Sequence, residues 1–142
     1  MPSSRDELVV QAREALRSRG ELLASLTGLA ETVVVLRGAL ATLADRFPAS
    51  SSAMFAADAD LVRDLRDCRM LAEAIEFERG ELQEFVRWLD VPTGDPGLVA
   101  RELSRLVAAI LVRDLDRLRR LSEVKDDVAT VRARVTEWID SS

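Results

Sequence analysis

The chain has 142 residues, of which 48% are hydrophobic and 32% charged, and it carries a net charge of −5. That length suits one domain with a sizeable core, and the apolar content is too high for a disordered chain. An acidic protein lacks the electrostatic footprint of a general nucleic-acid binder, and a single cysteine, Cys68, excludes an intrachain disulfide.

The opening stretch, MPSSRDELVV, has no apolar core of the kind a secretion signal needs. Ser4 followed three residues later by Glu7 reads as a capping box and starts a helix. A nearly unbroken 4-3 spacing then runs through Leu8, Ala12, Ala15, Arg19, Leu22, Leu26, Leu29, Val33, Leu36, Leu40, Leu43 and Phe47. The β-branched run in ETVVVL favours a strand in isolation, but the heptad passes straight through it, so a helix is expected. Pro48 in RFPASSS ends that helix, because it pushes the preceding residue out of the α region.

One of Ser50, Ser51 and Ser52 is the expected cap of a second helix. Its seam reads Met54, Asp58, Leu61, Leu65, Cys68, Ala72, Ile75, Arg79, Leu82, Val86 and Leu89. The DVPTGDPG stretch breaks it, and Asp95 with Pro96 supplies an N-cap and a first-turn proline for a third helix. The excess negative charge lies in the middle third: residues 48–94 carry five arginines against ten acids.

The third helix contains LVAAILV, Leu106–Val112, seven apolar residues without a polar break. Val99, Leu103, Leu106 and Ile110 share one helical phase, and Leu121, Val124, Val128, Val131, Val135 and Trp138 return to it. Between them that phase falls on Arg113, Asp114 and Arg117, while the apolar residues move about 100° aside to Val107, Leu111, Leu115 and Leu118. A local stutter with outward-reaching arginines is the expected solution. The alternative is a polar core layer in which Arg113, Asp114 and Arg117 satisfy one another, since an unpaired buried arginine costs too much.

The second helix has a similar excess. Met70, Phe77 and Trp88 lie nearly opposite its core phase, with Phe85 beside them. Pairing the helices about their loop sets Phe77 level with Ile110, so both surplus apolar surfaces fall at one height. Aromatic and methionine side chains on a charged face are the usual anchors of an interface. Met70, Phe77, Phe85, Trp88, Val107, Leu111, Leu115 and Leu118 are therefore the expected partner-binding residues.

The chemistry of catalysis is thinly represented. No histidine occurs, which removes the commonest general base, the usual triads and the Glu-x-x-His di-iron pattern. There is one lysine, Lys125, and no phosphate-binding glycine loop. Glu73-x-x-Glu76 and Glu81-x-x-Glu84 resemble the acidic pairs with which all-α nucleotide pyrophosphohydrolases hold Mg²⁺, which implies a metal-dependent hydrolase as one alternative. Glu73, Glu81 and Glu84 point away from the core phase, and a solvated face is the simpler expectation. Arg101, Arg105, Arg113, Arg117 and Arg120 line one side of the third helix, but interspersed acids favour ion pairs over phosphate contacts.

The sequence thus predicts an all-α protein: an elongated up-down-up antiparallel three-helix bundle with coiled-coil character, helices near 4–46, 52–90 and 95–140, in a single domain over 1–142. No cofactor or metal is expected. The expected role is a non-enzymatic, cytoplasmic protein-interaction or adaptor module without a membrane span, with a second copy of itself, as a homo-oligomer, the first candidate partner. A small helical subunit of a larger, nucleic-acid-containing complex is the other alternative.

Overall fold

The computed structural model describes residues 5–89 and 96–141. Three long helices make up almost all of it: α1 (Arg5–Arg46), α2 (Ser51–Leu89) and α3 (Pro96–Asp140). They pack against one another as an all-α three-helix bundle, and no strand occurs among the described residues. The boundaries fall within a residue or two of the breakers that predict them. Ser4, Asp95 and most of the DVPTGDPG stretch lie outside the described residues, so neither the capping box nor the Asp95 cap has a structural counterpart here.

The turn after α1 shows how Pro48 works. The Phe47 amide still donates to Leu43 O at 2.8 Å, closing the last helical turn. Phe47 itself is extended, with φ −127° and ψ 72°, as a residue before proline prefers. A single 3-10 turn, Pro48–Ser50, follows, and the Ser51 hydroxyl donates to Pro48 O at 2.8 Å. The chain reverses in these few residues, so α1 and α2 run antiparallel.

Contacts divide the chain into two compact units, each containing a segment of all three helices. The first unit comprises residues 1–24 and 72–117. Its core is Leu8, Ala12, Leu82, Leu103 and Ile110, with Leu16, Phe85, Val86, Leu106 and Val107 packed partly buried around them. The second unit comprises residues 25–71 and 118–142. Its buried side chains include Val33 and Leu40 from α1, Met54 and Leu61 from α2, and Val124 and Val128 from α3.

The seam of α1 is where the sequence places it, and α1 is continuous through Gly20. The seam of α2 differs. Met54, Leu61, Leu65, Cys68, Ile75 and Leu82 are buried as expected, but Asp58 and Arg79 are only half-buried, Ala57 and Glu78 are buried in their place, and Asp64 is buried beside Leu65. The α3 seam needs no stutter: Leu103, Ile110, Asp114, Arg117, Leu121 and Val124 are all buried, in unbroken heptad spacing.

Within α1, an 18-residue window reaches a mean hydropathy of 1.5 with no more than two charged residues, and 28% of it is buried. By length and composition this helix is long and apolar enough to cross a membrane, a property that the core helix of a soluble protein shares. Counting uninterrupted apolar runs misses it, because residues such as Ser25, Thr27 and Gly28 break the run without adding charge.

Gly28 lies in the middle of α1, and a Cβ added there meets nothing within 4 Å. Glycine in a helix interior costs roughly 0.5–1 kcal/mol relative to alanine. Gly28→Ala is therefore expected to stabilise the protein by about that amount, read as a higher midpoint in urea unfolding with an unchanged slope.

Candidate interaction surface

Two features of the first unit stand apart from an ordinary apolar bundle: a layer of charge inside it and a row of large apolar side chains outside it.

The charged layer is centred on Glu78, which is 2% exposed. Its Oε1 accepts from Arg19 Nη1 at 2.9 Å and from Arg117 Nη1 at 2.7 Å. Its Oε2 accepts from Arg117 Nη2 at 2.6 Å and from Arg113 Nη1 at 3.0 Å. Arg117 thus grips Glu78 with both ends of its guanidinium, the strongest geometry an arginine offers a carboxylate. Asp114 completes the layer, accepting from Arg117 Nη1 at 3.2 Å and also from Arg19. Arg19 is fully buried.

Each helix contributes by heptad position: Arg19 from α1, Glu78 from α2, and Asp114 with Arg117 from α3. The two buried cations face two carboxylates, so the layer is internally neutral, and Arg113, with half its side chain in water, adds the surplus charge. Burial alone would raise the Glu78 carboxyl, but Arg117, Arg113 and Arg19 outweigh it and hold it below the usual range. Glu78 in turn raises Arg117.

The expected stutter with outward-reaching arginines is therefore corrected. Arg117 is buried, and only Arg113 reaches outward. The helix keeps its phase because partners from α1 and α2 compensate the charges, which is less costly than rotating a long helix out of register. Glu78 meets Arg113 and Arg117, so the level next to Phe77 is the charged layer, a turn or more beyond Ile110.

The partner-binding residues divide. Phe77 (69%), Leu115 (72%) and Leu111 (62%) are strongly exposed, and Trp88 is exposed too. Phe85 and Val107 are half-buried and pack on the core. Phe85 also meets Trp88 edge-on, with ring centroids 5.4 Å apart. Met70 and Leu118, both exposed, belong to the second unit.

Val107 and Leu111 line an open groove of about 380 Å³ between α1 and α3. Val10 and Ala15 complete its apolar lining from α1, and Asp114 is among the residues that line it from α3. The α2 residues Phe77 and Trp88 do not line it. Sequence reasoning missed Val10, which is exposed on the far side of α1 from the core phase. It also missed Arg19 and Glu78 as members of the charged layer. Their signal is a charged residue on the core phase of every helix, which the α1 seam shows at Arg19.

The other chemical candidates are occupied otherwise. Glu76 pairs with Arg79, and Glu84 with Arg87 at 3.4 Å. No group of three potential metal ligands stands together among the described residues. Arg117 and Arg120, the arginines best placed to meet phosphates, are engaged with Glu78 and with Asp64 and Asp67. Cys68 is buried, and burial pushes its thiol up, away from the reactive thiolate.

No family model matches this chain, and neither a curated protein nor a solved structure matches it.

Glu78→Gln leaves Arg19 and Arg117 with one carboxylate between them. Urea unfolding near neutral pH is expected to show a loss of about 3–5 kcal/mol. Because the folded protein holds the Glu78 proton less tightly than the unfolded chain does, its contribution is present above pH ~4.5 and is lost as pH falls below it. Acid titration of the wild type is expected to show that loss, and the glutamine variant to lack this component.

Proposed function

We propose that this protein is a non-enzymatic assembly module that pairs with a second copy of itself through the α1–α3 face of its first unit. One observation carries the reading. Leu111 and Leu115 project into solvent as a ridge one turn apart, beside an apolar groove lined by Val10, Val107 and Leu111 itself.

A ridge next to a groove is self-complementary under a two-fold axis, since each copy offers what the other receives. Covering Leu115 alone releases on the order of 1–2 kcal/mol. The polar rim, with the Arg17 guanidinium bonded to Glu14 and to Glu21, suits an interface margin. Phe77 and Trp88 extend apolar surface on α2 and are the next residues a larger assembly would cover.

Light scattering over a concentration series tests this. The wild type is expected to be dimeric at ~100 μM, and Leu111→Glu with Leu115→Glu to be monomeric with unchanged helicity by circular dichroism. Phe77→Glu alone reports whether the α2 surface takes part. A wild type that stays monomeric at that concentration overturns self-association.

A further inference from the structure

Asp64, in the second unit, lies on the core seam of α2, three residues after Leu61 and four before Cys68, and is 0% exposed. Its Oδ1 accepts a hydrogen bond from Arg120 Nη2 at 2.8 Å. Its Oδ2 is buried and meets no N–H or O–H donor. The neighbouring carboxyl that acts on Asp64, through hydrogen bonding and through charge, is that of Asp127 on α3. Two ionised carboxylates only accept and so repel each other, whereas one proton between them supplies the missing donor.

The surrounding charges do not relieve this conflict. Arg120 is the cation in contact with Asp64, and its charge is divided. Its Nη2 also meets Asp67 Oδ2 at 2.7 Å, and its Nη1 meets Glu123 Oε2 at 3.3 Å. Asp67 has a further, distant partner in Arg66 at 3.9 Å. Cys68, one turn further along α2, is held as a neutral thiol by burial and by Asp64. Besides burial, the largest influences on Asp64 come from Asp127 and Arg120, both on α3.

We propose that Asp64 and Asp127 share one proton in the folded protein, and that losing it sets two carboxylates against each other and loosens the α2–α3 contact of this unit. The pair is then a pH-sensitive device within the fold. Burial first, and then the bond to Asp127, push the Asp64 carboxyl up to about 6, against the ordinary 3.8. The folded protein therefore binds this proton more tightly than the unfolded chain. Its stabilisation is full below pH ~4 and is lost as pH rises through about 6. This is opposite in direction to Glu78 and falls in a separate pH window.

The experiment is thermal unfolding of the full-length protein at fixed concentration, at about pH 5 and about pH 7.5. The wild-type midpoint is expected to fall by about 5 °C between them. Asp64→Asn imitates the protonated pair: its carbonyl can accept from Arg120 while its amide donates to Asp127. That variant is expected to lose the fall and to exceed the wild type at the higher pH. Asp127→Asn, made separately, is expected to do the same and keeps the test open if the first variant folds poorly. A wild-type midpoint that is flat or rises over this range overturns the proposal, as do asparagine variants that retain the fall. Added Ca²⁺ that restores the wild-type midpoint at the higher pH, but not that of Asp64→Asn, also overturns it, because a cation and not a proton then bridges the pair.

Discussion

Arg19 carries its charge where no water reaches, and the first unit is arranged around that constraint. A guanidinium in the core is tolerable only if carboxylates arrive to meet it. Here they come from the other two helices, Glu78 from α2 and Asp114 from α3, and Arg117 closes the set. The requirement fixes axial register. Sliding any one helix by a turn sets a buried charge against aliphatic side chains such as Leu82 or Ile110. In an otherwise repetitive heptad pattern, where leucine meets leucine at many offsets, this layer marks one alignment as different from the rest.

The same constraint explains the uninterrupted apolar run of α3. Leu103 and Ile110 belong to the core row, which then continues through Asp114 and Arg117 without changing phase. The remaining apolar residues, Leu111 and Leu115, are left outside because the core row never yields its place to them. Charge is held inside and hydrocarbon is left in water at the same turns of one helix. Neither is favourable alone. The inner charges are compensated within the unit, while the outer leucines have no counterpart within it, and that asymmetry is what gives the self-association reading its weight.

The second unit has its own departure from an apolar core, but with the opposite imbalance. Arg120 stands among Asp64, Asp67 and Glu123, and with Arg66 only distantly beside Asp67 the acids outnumber the bases in contact with them. The first unit pairs guanidinium with carboxylate and leaves only Arg19 Nε without an acceptor, whereas the second leaves the carboxylate oxygen Asp64 Oδ2 without a donor. Carboxylates that differ this much in environment respond to pH in different directions, and the chain holds both kinds on the same face of α2.

The three helices, their breaks at Pro48 and ahead of Pro96, the seam of α1 and the apolar stretches of α3 on either side of Arg113–Arg117 follow from periodicity and proline chemistry, which act locally along the chain. On α2 the alternate core positions were ambiguous. Asp58, Leu65, Ala72, Arg79 and Val86 lie to one side of the fixed row through Leu61, Ile75 and Leu82. Ala57, Asp64, Leu71, Glu78 and Phe85 lie to the other. Each set mixes apolar and charged residues, so hydrophobicity alone does not choose between them. Glu78 wins a core place because Arg19 and Arg117 meet it there, and those residues are distant in sequence. Likewise, the amino-acid sequence determined that LVAAILV holds more hydrocarbon than one stripe can use. Only the tertiary structure decided which part is buried, because a buried charge is permitted by its partners across the bundle and not by its neighbours along the helix.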